Sequence, residues 1–262
     1  MSATTSEAPL LLARDERGVA TLTMNRPASF NALSEEMLGA LRAALDKLAD
    51  DEKLRAVVIA ANGKAFCPGH NLKEMQARPE LAYYQQLFAQ CVRMMLSIQK
   101  LPVPVIARVH GIATAAGCQL VAQCDLAVAS TDAKFAVSGI NVGLFCSTPS
   151  VPLARNMNSK QAMEMLVTGD FIDAAQARER GLVNRAVAPD QLDAEVESLV
   201  ASIVAKPRQA LAIGKDLFYR QRELGIEAAY QLAGQTMAVN MMDACAQEGV
   251  AAFSEKRKPK WD

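Results

Sequence analysis

The chain has 262 residues and a mass of 28.2 kDa, too long for a disulfide-stapled mini-protein and enough for one or two domains. Hydrophobic residues make up 51%, sufficient for a sizeable core, and 28 Lys+Arg balance 28 Asp+Glu. That zero net charge lacks the basic surplus of a dedicated nucleic-acid binder, yet it leaves room for a small basic patch facing a phosphorylated ligand. The opening, MSATTSEAPL, has neither a basic n-region nor an apolar h-region, and no stretch approaches the roughly 18 apolar residues of a membrane span. Six Cys with no CxxC pair read as reduced thiols, and two His, His70 and His110, disfavour a His-rich metal site. The expectation is a soluble, cytoplasmic protein without metal.

In chain order, Leu10–Arg14 and Val19–Met24 read as two short strands around a turn at Gly18. A helix is predicted from Ser34, with Glu35 and Glu36 at the positive end of its dipole. Met37, Leu41, Leu45 and Leu48 form its apolar stripe. Ala56–Ala60 and Val103–Val109 are nearly continuous apolar runs, as in parallel strands buried on both faces. A loop over Asn62–Leu72 follows the first, and a helix over Tyr83–Lys100 precedes the second. Next come a turn, a short helix from about Ala115 to Gln123 and a strand from Leu126 to Ala129. Asp173 is placed to cap a helix over Ala174–Arg180, stopped by Gly181 and followed by a last strand, Leu182–Val187. Asp190–Phe253 is mostly helical. Strands alternating with helices predict an α/β fold with parallel strands. The division is a core over residues 1–200 and a helical C-terminal region over 201–262, acting as one unit.

Two segments stand out chemically. Ala113-Thr114-Ala115-Ala116-Gly117-Cys118 packs small residues where a buried strand turns into a helix. Close helix–strand packing explains that run; so does a cradle in which unpaired backbone N–H groups at the helix N-terminus meet a ligand carbonyl. Cys67-Pro68-Gly69-His70-Asn71 follows the preceding buried strand, and Gly69 permits a backbone turn that aims the N–H of His70 outward. Two such loops on neighbouring strands would aim two N–H groups at one oxygen, an oxyanion-hole arrangement.

Several stretches in register resemble the enoyl-CoA hydratase/isomerase (crotonase) superfamily across residues 10–262. They are NRPASFNALS (25–34), GKAFCPGHNLKEM (63–75), PVIARVHGIATAAGCQLVAQCDLAVAS (104–130), MEMLVTGDFIDAAQARERGLVN (163–184) and AFSEKRKPKW (252–261). The resemblance implies a crotonase-like ββα spiral core with a helical trimerisation region, assembled as a homotrimer or a dimer of trimers. It implies an acyl-CoA ligand, the CoA thioester being the substrate, with no separate cofactor. The thioester oxygen would meet the N–H groups of His70 and Ala116. Arg26, Ala28, Lys64, Ala65, Gly69, Asn71 and Leu72 match positions lining the CoA channel, and Phe253 and Lys256 match C-terminal residues that reach a neighbouring subunit's CoA.

The chain departs from the family's hydratases at both glutamate positions, where Gln119 and Gly139 stand. Neither takes a proton at neutral pH, and general acid–base participation is worth about 10²–10⁴-fold. Ser147 matches an aspartate of the family's dehalogenases and dienoyl-CoA isomerases. With Cys146 and Thr148 it forms either a polar trio, Cys146 serving as nucleophile or proton donor with His70 as base, or plain pocket lining. Three readings stay open: an acyl-CoA enzyme of the lyase or isomerase kind with an atypical site, poor as a hydratase; a non-catalytic acyl-CoA-binding protein; and a thioesterase or decarboxylase using the side chain of His70.

Overall fold

A computed structural model describes residues 8–261. A six-stranded sheet runs β1 (Leu10–Arg14), β2 (Val19–Met24), β3 (Ala56–Ala61), β5 (Val105–Val109), β7 (Leu126–Ser130) and β10 (Arg185–Val187) in spatial order. Only the β1–β2 hairpin is antiparallel in it. A second sheet, of four very short strands, runs β4 (Ala65–Cys67), β6 (Ile112–Thr114), β8 (Lys134–Ala136) and β9 (Ile172–Asp173). The chain thus steps repeatedly from a large-sheet strand to a small-sheet strand and then into a helix: β3–β4–α2 (Leu72–Ala77), β5–β6–α4 (Ala116–Gln123), β7–β8–α5 (Ser147–Asn156). This is a ββα spiral.

Sequence patterning explains the large sheet. All six residues of β3 are buried. Val57, Ile59 and Ala61 face a core shared with α1 (Glu35–Ala49) and α3 (Leu81–Lys100). Ala56 and Val58 face Leu192, Val196 and Val200 of α8 (Leu192–Val204) on the other side. Burial on both faces leaves no room for polar alternation. Helix α1 starts where Ser34 accepts the Met37 N–H at 3.1 Å, and its predicted stripe of Met37, Leu41, Leu45 and Leu48 is buried. Asp173 caps α7 (Ala174–Glu179) in a reciprocal capping box with Gln176.

The small sheet is where the structure exceeds the sequence reading. Residues 62–72 read as a loop, yet 65–67 form β4, and the turn expected before Ala115 contains β6. Strands of two or three residues are too short to show a period, and only pairing with their neighbours creates them. The last strand is shorter than expected, Arg185–Val187, because Leu182 and Val183 are spent on the turn after α7, donating to the Ala177 carbonyl.

Helix α6 (Ser159–Thr168) follows α5, and beyond α8 come α9 (Arg208–Gln221), α10 (Ile226–Asn240) and α11 (Ala244–Ser254). Helix α9 is fastened to the core by one polar knot. Lys215 Nζ donates to the carbonyls of Ile98 and Val103, both at 2.9 Å, and to Asp125 Oδ2 at 2.6 Å. Tyr219 donates to Asp125 Oδ1 at 2.7 Å, and the Val105 N–H reaches Asp125 Oδ2 at 2.7 Å. Among the described residues no helix is long and apolar enough to cross a membrane.

Candidate active site

The two loops singled out by sequence meet. Gly69 has φ +104, and a Cβ built on it would lie 3.2 Å from Ala116 N and 3.0 Å from Ala115 Cβ. Thr114 Oγ1 ties the loops together by donating to the Pro68 carbonyl at 2.9 Å. Gly117 packs so closely on the end of β4 that a Cβ would fall 2.0 Å from the Cys67 carbonyl oxygen, which excludes every larger residue. Both explanations offered for the small-residue run therefore apply to different members of it: Gly117 serves packing, Ala116 faces the cavity.

Ala115, the residue before α4, holds φ 48 and ψ −120, a conformation L-residues rarely adopt, and makes no side-chain cap. Its own N–H is held by the Ala136 carbonyl at 2.9 Å. The strained joint turns the first helical N–H, that of Ala116, away from the chain behind it, where no intrahelical partner exists. Among the described residues neither the His70 nor the Ala116 amide is spent on a backbone acceptor.

These loops open into a cavity of about 860 Å³. His70, Ala116, Cys146, Ser147, Ala28, Asn71 and Leu72 line it. Gly69 shapes it from behind. Arg26, Lys64 and Ala65 do not line it: Arg26 reaches Glu36 at 3.0 Å, Lys64 is exposed and Ala65 is buried. Phe253, 86% exposed at the end of α11, and Lys256, just beyond it, are also outside the lining of this cavity.

Two expectations about the polar groups are corrected, those for Gln119 and for the Cys146–His70 pair, while Gly139 offers no side chain, as expected. Gln119 is 3% exposed and does not line the cavity; its Oε1 is buried without a partner, because position 119 faces inward from α4. At Gly139 a Cβ would sit 2.5 Å from the Leu144 carbonyl oxygen and 2.8 Å from Cys146 Sγ, so this backbone admits no side chain there. Cys146 and His70 form no nucleophile–base pair. Both ring nitrogens of His70 are buried without a hydrogen bond, its ring lies edge-on to Phe88 at 5.5 Å, and burial pushes the imidazole below the usual His range against the nearby Leu33 backbone. Burial likewise pushes the Cys146 thiol up, although the Gly139 backbone opposes it, so the protonated thiol dominates at neutral pH. Ser147 is exposed and donates to the Phe145 carbonyl at 3.3 Å.

The other thiols follow the same rule. Burial raises Cys67, Cys91 and Cys118 to about 12, and only Cys245 is partly exposed. With a chromogenic disulfide reagent at pH 7.5, Cys245 is expected to react fast and the other five slowly, at the rate of local opening. Fast labelling of Cys146, read by peptide mass, contradicts the assignment of a protonated, shielded thiol.

The lining holds a further set that sequence inspection missed. On α3, Tyr83 donates to Glu35 and Tyr84 to the Met75 carbonyl, both at 3.1 Å, while Phe88, one turn beyond Tyr84, reaches the cavity. Val142, Leu144 and Phe145 line it as well. Among the described residues neither Asp nor Glu does. Glu74, on the neighbouring helix α2, instead accepts the Glu35 N–H at the start of α1, at 3.0 Å.

Residues 14–262 match the family model described as enoyl-CoA hydratase/isomerase. The chain belongs to that family. Within the enoyl-CoA hydratase/isomerase family it is 44% identical, over 97% of this chain and 86% of the relative, to enoyl-CoA hydratase domain-containing protein 3, mitochondrial, of Xenopus laevis. A crystal structure of enoyl-CoA hydratase from Mycobacterium smegmatis is 67% identical and superposes with a TM-score of 0.96, covering 97% of this chain and 99% of that one. The crystal structure of human enoyl Coenzyme A hydratase domain-containing protein 3 is 42% identical with a TM-score of 0.93, covering 97% and 100%. These neighbours share the crotonase fold. The expectation of a cytoplasmic protein is overturned by the relatives from Xenopus laevis, Mus musculus and Homo sapiens, which are named mitochondrial. Free buried thiols persist in any reducing compartment, so cysteine usage does not single out the cytoplasm.

Proposed function

We propose that the protein is an acyl-CoA enzyme that holds a thioester oxygen on the amides of His70 and Ala116 and stabilises the oxyanion or enolate formed there. The observation that carries this reading is the contact of the Gly69 and Ala116 loops at the head of a cavity. Two preorganised donors aimed at a developing negative charge supply the largest single contribution in many acyl-transfer sites. The thioester is the substrate and no separate cofactor is invoked. Ala28, Asn71 and Leu72 line the cavity where the CoA arm would leave it; Arg26, Lys64, Phe253 and Lys256 would act only on the more distant CoA groups.

The reaction is not efficient hydration. Hydration needs a group to deliver and remove protons at the two carbons beyond the thioester, and among the described residues the cavity wall carries no carboxylate. Gln119 is neutral and turned from the cavity, and Gly139 admits no side chain. Crotonyl-CoA is therefore expected to bind yet to be hydrated about 10²–10⁴-fold more slowly than by a two-glutamate hydratase, measured by loss of enone absorbance. Turnover at an ordinary hydratase rate refutes it.

The same missing acids favour a second reading, a non-catalytic acyl-CoA-binding protein. A panel of acyl-CoAs scored for released CoA, lost carboxylate or shifted double bond separates the two. Self-association follows from the C-terminal region: Ile226, Tyr230, Met237, Met242 and Phe253 expose large apolar side chains on α10, α11 and the turn between them. We infer a homotrimer or a dimer of trimers. Light scattering is expected to give a mass near three or six chains, and a monomer at micromolar concentration overturns it.

A further inference from the structure

The lining combines the His70 and Ala116 loops and the polar Lys73, Ser138, Ser147 and Thr148 with a set of large apolar side chains: Phe88, edge-on to His70, and Phe30, Leu72, Val142, Leu144 and Phe145. Five of these, all but Phe88, are also strongly exposed, Val142 at 71%. Scattered exposed apolar residues need no explanation, but several lining one opening mark a binding surface.

Three of them sit on a single arch, residues 139–145, between β8 and α5. The arch is closed by its own hydrogen bonds: the Leu144 N–H donates to the Gly139 carbonyl at 3.0 Å and the Gly143 N–H to the Ile140 carbonyl at 3.0 Å. Gly143 takes φ +79 at its bend. At its foot, Cys146 is buried and the Leu144 carbonyl stands directly over Gly139. A turn fixed in this way holds its apolar side chains out toward the cavity instead of folding them into the core. Phe30 comes from the segment before α1 and Leu72 from the start of α2, so the apolar lining is drawn from three separate parts of the chain.

We propose that the arch is the bed for the distal part of a long, unbranched acyl chain, and that the site selects CoA thioesters of dodecanoyl size over those of butyryl size. This rests on the acyl-CoA reading above and names its substrate class. A short acyl group ends near Gly139 and Cys146 and leaves Val142, Leu144 and Phe145 in water. A long one continues past them and covers all three. The volume, about 860 Å³, lies in the upper part of the range for pockets that enclose whole ligands. The arch itself adds only apolar side chains to the lining, Val142, Leu144 and Phe145, with no charged group among them.

The test is calorimetric binding of CoA, butyryl-CoA, octanoyl-CoA and dodecanoyl-CoA to the full chain. Each methylene buried is worth about fourfold in affinity, and partial cover of the added chain predicts at least about 100-fold between butyryl and dodecanoyl. Val142→Asp alters an exposed side chain and is expected to fold; it should weaken dodecanoyl-CoA about tenfold more than it weakens butyryl-CoA, narrowing the chain-length ratio. Equal, measurable affinity along the series overturns the chain-length inference while the acyl-CoA reading stands. Failure of every acyl-CoA to bind removes that reading and this inference together. If Val142→Asp instead lowers the assembly mass and leaves the chain-length series unaltered, the arch is a subunit contact and the proposal is wrong.

Discussion

Lys215→Met is expected to destabilise the protein by about 3–5 kcal/mol, the largest effect of any single substitution considered for stability. The side chains of Lys215 and Asp125 are only 7% and 13% exposed. Burial holds the ammonium below the usual Lys range even though Asp125 pulls it upward, so water does not share its load. Removing the lysine leaves a buried carboxylate with only the Val105 N–H and the Tyr219 hydroxyl, and strips the carbonyls of Ile98 and Val103 of a donor. For a chain of this length the loss corresponds to a fall in Tm of roughly 6–20 °C by calorimetry. The double variant Lys215→Met/Asp125→Asn removes the orphaned charge, keeps an amide oxygen to accept the Val105 N–H and presents an NH2 that donates to the Tyr219 hydroxyl, and should recover part of the loss. A fall below about 1 kcal/mol for the single variant contradicts the view that this knot fastens α9 to the core.

Gly69→Ala has the largest expected effect on function. The methyl group would enter at φ +104, 3.0 Å from Ala115 Cβ, 3.2 Å from Ala116 N and 3.3 Å from the Thr114 carbonyl oxygen. Those neighbours are backbone and a short side chain on the strained joint before α4, so relief comes only by spreading the two loops. Spreading misaims at least one amide, and loss of one such donor costs about 10²–10³-fold in turnover. Acyl-CoA binding should weaken while free CoA binding is retained, because only the thioester uses the amides. Retained folding is checked by circular dichroism. Unchanged thioester turnover or acyl-CoA affinity in a folded Gly69→Ala protein removes the functional assignment of both loops.

The sequence determined the local parts whose physics is local. Strand β3 is legible because six apolar residues in a row fit only burial on both faces. The start of α1 is legible because Ser34 and two glutamates suit an unpaired helix end. The cradle loops were nameable because glycine and alanine at strand ends have few other reasons to cluster. Only the tertiary structure decided what depends on distant neighbours. The two- and three-residue strands of the second sheet exist through pairing across gaps of tens of residues. That α3 reaches the cavity through Phe88 was set by how α3 sits on α1 and α4. The fate of positions 119 and 139 was likewise invisible: whether a side chain enters a cavity depends on what stands within 3 Å, and at Gly139 that is the Leu144 carbonyl and the Cys146 sulfur from a loop that folds back over it.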